Sequence, residues 1–151
     1  MNRQILYSIA FALLLIGCKK EATPTVKPVA EETETAPPKM ECYAYDANES
    51  KIDLQLQYSG DEVTGTLNYA LAEKDSNKGT IKGKVENNIL IADYTFYSEG
   101  VESTRQVAFK LETDKLVEGY GELTEDGTHF KDTNKLNFDS KMSLTKIDCT
   151  Q

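Results

Sequence analysis

Residues 52–71 read IDLQLQYSGDEVTGTLNYAL, and the alternation of side chains along this stretch decides the fold. Ile52, Leu54, Leu56 and Tyr58 alternate with Asp53, Gln55 and Gln57, so a period of two sends apolar groups to one face and polar groups to the other. Gly60–Asp61 interrupts the run with turn chemistry, after which Val63, Gly65, Leu67, Tyr69 and Leu71 take up the same alternation. Two half-apolar strands joined this tightly pair antiparallel, because a parallel neighbour needs a long crossover.

The pattern repeats outward along the chain. Further period-two runs are Ile81–Gly83–Val85, Leu90–Ala92–Tyr94–Phe96 and Val107–Phe109–Leu111, and none has helical spacing. Turn signals separate them at Asn48–Glu49, Asp75 to Lys78, Asn87–Asn88, Glu99–Gly100, Thr113–Asp114 and Asp126–Gly127. The composition agrees: 39% hydrophobic residues, eight Tyr, five Phe and no Trp suit a sheet with one wet face. The expectation is an all-β domain, an antiparallel up-and-down meander of about eight strands over residues 41–151. The stretch Lys131 to Ser140 fits no strand pattern and is expected to lay Leu136 and Phe138 over one end of the domain.

The first forty residues are of another kind. Arg3 is followed by the apolar run Ile5 to Ile16 and then Gly17–Cys18, too short for a comfortable membrane span and of the length of a signal-peptide core. Leu15–Ile16–Gly17–Cys18 resembles the bacterial lipobox. That resemblance implies a signal peptide over residues 1–17, removed by signal peptidase II, and a mature chain beginning at a lipidated Cys18. Two or three acyl chains give stable anchoring, since each buried methylene contributes about 0.8 kcal/mol. Among lipoproteins, Lys19 after the cysteine, in place of Asp, favours the outer membrane of the cell envelope. Residues 19–40 hold all four prolines, four Lys and four Glu, and read as a tether with a reach on the order of 25 Å.

With Cys18 assigned to lipid, Cys42 and Cys149 remain, one at each end of the folded part. In an exported domain this pair is expected as a disulfide joining the first and last strands. A meander tied in that way is most economically a closed barrel. Lipocalin-like and other calycin barrels resemble it in architecture, although the Gly-x-Trp signature of lipocalins does not occur here. An open two-sheet sandwich is the alternative.

Charge narrows the function classes. Residues 41–151 carry 12 of the 17 basic and 21 of the 25 acidic side chains, a balance that disfavours nucleic acid as a partner. No P-loop or dinucleotide fingerprint occurs. Asp75 to Gly79 matches the D-x-N-x-G start of a calcium loop, but strand patterns flank it and a polar turn explains it as well. No metal or cofactor is expected. His129 is the single histidine and has no nucleophile near it in sequence, so no catalytic residue is assigned and the chain is read as non-enzymatic.

Strand parity singles out a few residues for binding. Counting by two from Tyr69 and Leu71 reaches Glu73, and counting back from Phe109 and Val107 reaches Arg105. Both are expected to point inward at one barrel end and to pair, because an isolated buried charge is costly. The pair either plugs the barrel or lets Arg105 orient an anionic head group, with Tyr69, Tyr94, Phe96, Phe109 and Tyr120 lining an apolar pocket behind it. Parity leaves open which face Glu118, Tyr120 and Glu122 occupy. The expected function is a membrane-anchored binding or interaction module for a small apolar or anionic ligand or an envelope-protein partner. The alternative is an inhibitor of a hydrolase such as lysozyme, because the expected domain resembles the small disulfide-tied barrels on bacterial lipoproteins that include lysozyme inhibitors, with Glu73–Lys74–Asp75 and Ser98–Glu99–Gly100 as contact loops.

Overall fold

The computed structural model describes residues 38–149. The expected signal peptide, the lipidation site Cys18 and residues 19–37 of the expected tether lie outside the described residues, as do Thr150 and Gln151, while Lys39 and Met40, expected in the tether, begin the first strand because they pair with Tyr58 and Gln57. Eight strands occur among the described residues: β1 (Lys39–Ala47), β2 (Ser50–Ser59), β3 (Glu62–Ala70), β4 (Asn77–Glu86), β5 (Ile89–Ser98), β6 (Val101–Leu111), β7 (Lys115–Gly119) and β8 (Leu144–Ile147). Each pairs antiparallel with the next, and β8 pairs with β1, so the meander closes into a barrel.

The quoted stretch forms β2 and β3 in the register its parity demands, with Leu54 opposite Leu67 and Ile52 opposite Tyr69. Side chains of that parity fill the barrel. Ile52, Leu54, Leu56, Val63, Leu67, Tyr94, Leu90, Phe109, Leu116 and Leu144 are fully buried in one core. Two-residue connections Asn48–Glu49, Asn87–Asn88 and Glu99–Gly100 all place both residues at positive φ, the geometry whose twist matches that of paired strands. Closing eight strands requires tight curvature, and β4 supplies it at two inward-facing glycines. A Cβ at Gly79 would run into the Thr95 carbonyl oxygen and one at Gly83 into that of Ile91, so β5 approaches to a distance that only glycine permits.

The seam is the thinnest part of the wall. Three residue pairs join β1 to β8, Cys42–Ile147, Tyr43–Lys146 and Ala44–Thr145, and two join β7 to β8. The Cys42–Cys149 disulfide spans the β1–β8 seam with its Cα atoms 5.2 Å apart.

Between β7 and β8, residues 120–143 leave the barrel wall. They hold a tight hairpin closed by Leu123 opposite Phe130, a 3-10 turn at Thr133–Lys135 capped by Asp132, and a return segment bridged to Tyr120 through Asn137. Phe138 occupies the space where a side chain at Gly119 would stand, and Leu136 lies against Gly121. Gly119 has the outward parity of Val117, opposite to Leu116 and Glu118, so this cover lies on the outside of β7. Leu136 and Phe138 therefore cap the outer face of the wall, not the barrel end expected from the sequence. Their apolar groups lie against the bare backbone of Gly119 and Gly121, and Val117, of the same outward parity, is buried as well.

A candidate binding site at one barrel mouth

The up-and-down path sends the β1–β2 turn, the β3–β4 loop, the β5–β6 turn and the end of β7 to one mouth, here the upper one. A recess of about 620 Å³ opens there, with Tyr69, Arg105, Glu118 and Tyr120 on its floor, Leu71 and Met142 as apolar walls, and Glu73, Lys74, Asp75, Asn77 and Ser98 around its rim. Its size falls in the range usual for small-molecule sites. Deeper in, Tyr94 and Phe109 are fully buried, so the middle of the barrel is packed with its own side chains.

Arg105 has the inward parity read from the sequence. It lies on the face of Val107 and Phe109, opposite Tyr94. Its guanidinium carbon stands 5.8 Å from the ring centre of Tyr69, 5.9 Å from that of Tyr94 and 5.4 Å from that of Phe96. Those rings form one cluster, Tyr94 stacked on Phe96 at 4.8 Å and edge-on to Tyr69 at 5.8 Å. The negative faces of the rings hold the cation in place. Arg105 is exposed toward the recess and forms neither a hydrogen bond nor an ion pair among the described residues.

The acid of the site is Glu118. It is only 7% exposed and receives hydrogen bonds from the Tyr69 hydroxyl at 2.7 Å and the Tyr120 hydroxyl at 2.9 Å, one on each carboxylate oxygen. Burial pushes its carboxyl above the usual range, against the opposing pull of the two hydroxyls and the positive charge of Arg105. Burial and the Glu118 charge likewise raise both phenols, Tyr69 well above its ordinary value and Tyr120 to about 12. Both therefore stay protonated at neutral pH and serve as donors. Tyr94 is raised to about 12 by burial, with Arg105 pulling the other way.

Glu73 does not take the inward position expected of it. β3 ends at Ala70, and Glu73 sits exposed in the following loop at φ 57°, so parity was carried past the end of the strand. Glu73 reaches the rim of the recess, but no ion pair joins it to Arg105 among the described residues. The aromatic set divides: Tyr69 and Tyr120 border the recess, Phe96 is half-buried beneath Arg105, and Tyr94 and Phe109 belong to the core. Both loops named for an inhibitor surface contribute to the same rim, through Glu73, Lys74, Asp75 and Ser98. Asn77 to Gly79, the end of the calcium-like spacing, are paired residues of β4. His129 stands outside, its Nε2 3.9 Å from the outward-facing Asp93.

Sequence reasoning left the side of Glu118 open because β7 has apolar residues on both faces. The cover formed by residues 120–143 explains this, since it makes the outer face of β7 a second packed surface. Reasoning from sequence also passed over the lower mouth, where Glu41, 7% exposed, accepts from Lys146 at 2.5 Å, Lys39 at 2.9 Å and the Tyr43 hydroxyl at 2.8 Å. There a buried acid is neutralised by the chain's own cations. No family model, curated protein or solved structure matches this chain.

Proposed function

We propose that the chain is a non-enzymatic binding protein of the cell envelope, held on the outer membrane through lipid on Cys18, whose upper mouth captures a small charged molecule from its surroundings. The observation that carries this reading is the state of Arg105, a guanidinium laid on three aromatic faces in an open recess with its hydrogen-bond donors unused by described residues. A fixed planar fork with free donors is suited to an anionic group such as a carboxylate or phosphate. With the middle of the barrel filled by its own side chains, the ligand sits on the barrel, not inside it. Native mass spectrometry of the full chain purified from its own membranes tests this. A small molecule bound to the natural chain and lost from Arg105→Ala supports the proposal. Its retention by Arg105→Ala, or no occupant on the natural chain, refutes it.

A further inference from the structure

We infer that the recess takes a small zwitterion, with the anionic group of the ligand on Arg105 and its primary ammonium on Glu118. The inference deepens the reading above and rests on it. Two opposite charges face the same recess, yet they form no ion pair with each other among the described residues. Tyr69 keeps them apart: its ring lies 5.8 Å beneath the guanidinium carbon while its hydroxyl donates to Glu118 at 2.7 Å. The guanidinium thus stands over the ring of the same tyrosine whose hydroxyl holds the carboxylate. Tyr94 and Phe96 add their faces under Arg105, and Tyr120 holds the other oxygen of Glu118, so each charge has its own set of partners. The lower mouth shows the contrasting arrangement, in which Glu41 is bonded directly to Lys146 and Lys39.

The charge class of the ligand follows from this separation. A purely anionic molecule seated on Arg105 would bring like charge against Glu118, and a purely cationic one on Glu118 would meet Arg105. A molecule carrying both signs on neighbouring atoms satisfies the exposed Arg105 and the buried Glu118 at once. Each oxygen of Glu118 receives one hydroxyl hydrogen and retains accepting capacity for an ammonium. Leu71 and Met142 offer a short apolar wall, which fits an amino acid with an aliphatic side chain.

Three probes with one alkyl skeleton separate the contributions in calorimetric titrations of the full chain: L-leucine, 4-methylpentanoate, which lacks the ammonium, and 3-methylbutylamine, which lacks the carboxylate. L-Leucine should bind roughly ten- to a hundredfold more tightly than either analogue, the range for one charge-assisted hydrogen bond. Glu118→Gln, with far-UV circular dichroism and an unchanged urea slope showing that it is folded, should abolish the preference for L-leucine over 4-methylpentanoate, and 4-methylpentanoate should bind at least as tightly as to the natural chain once the like charge is gone. If 4-methylpentanoate binds as tightly as L-leucine and depends on Arg105, the zwitterion inference falls while the anion-binding function stands. If none of the three binds at millimolar concentration, the zwitterion inference falls and the anion-binding function is decided by the mass spectrometry above; if the amine binds best, or if Arg105→Ala leaves L-leucine binding unchanged, both fall.

Discussion

Glu41→Gln should destabilise the barrel at neutral pH and remove part of its sensitivity to acid. Burial alone would raise the Glu41 carboxyl, but hydrogen bonds from Lys146, Lys39 and Tyr43 outweigh it and hold the group at about 2 instead of 4.5. The sign follows directly. The folded state binds this proton less readily than the unfolded chain, so the stabilisation is complete above pH 4.5 and is lost as the pH falls toward 2. The full shift corresponds to an upper bound of about 3 kcal/mol. The side chains of Lys39 and Lys146 are 72% and 41% exposed, and solvent screening of such partners lowers the expectation to about 2 kcal/mol. Urea unfolding at a series of pH values, followed by tyrosine emission, reads this out. The natural chain should exceed Glu41→Gln by about 2 kcal/mol at pH 7, with the difference shrinking to about a quarter of that at pH 2.5 and vanishing below pH 2. Asp126 and Asp132, exposed carboxyls also held low by hydrogen bonds, act equally in both proteins and cancel. A difference that stays constant between pH 5 and 2.5, or equal stability at pH 7, would refute the reasoning.

Other expectations rest on the barrel itself. Gly83→Ala drives a methyl group into the Ile91 carbonyl oxygen and should cost about 3 kcal/mol in urea unfolding, the upper range for overpacking. Glu49→Gly relieves a non-glycine residue at φ 59° in the β1–β2 turn and should stabilise the protein by about 1 kcal/mol, seen as a higher urea midpoint at unchanged slope. Reducing Cys42–Cys149, which closes a sequence separation of 107, should cost about 3 kcal/mol, less than the 4–5 of a free loop because β1 and β8 already pair. Parallel urea titrations with and without reductant measure it.

The barrel was legible because nearly every strand from β2 to β6 has one wet face, so burial and side-chain parity agree. The β2–β3 register follows from Ile52 to Leu71 alone, and the tight turns follow from Asn, Glu and Gly pairs at positive φ. Legibility failed where a strand is covered on both sides or has ended. β7 sits between the core and the segment of residues 120–143, so Val117, Gly119 and Gly121 compete with Leu116 for the role of inner face. Glu73 was misplaced for the second reason, its parity being counted beyond Ala70.

The two mouths show why a charge on the inner face does not by itself mark a binding site. Each has a carboxylate that is 7% exposed, Glu41 below and Glu118 above, and each carboxylate accepts from tyrosine. At the lower mouth Lys146 and Lys39 complete the set within hydrogen-bonding distance, and the favourable pairing is reflected in a carboxyl held at about 2. At the upper mouth the nearby cation lies over aromatic faces, burial raises the carboxyl, and both line one recess without an ion pair between them among the described residues. A barrel needing only a plug would gain from letting Arg105 reach Glu118, since an unpaired buried charge is costly. The aromatic platform of Tyr69, Tyr94 and Phe96 works against that closure. The acid of the lower mouth is thus neutralised by its own chain, and the contrast with Glu118 is what motivates placing the proposed ligand at the upper one.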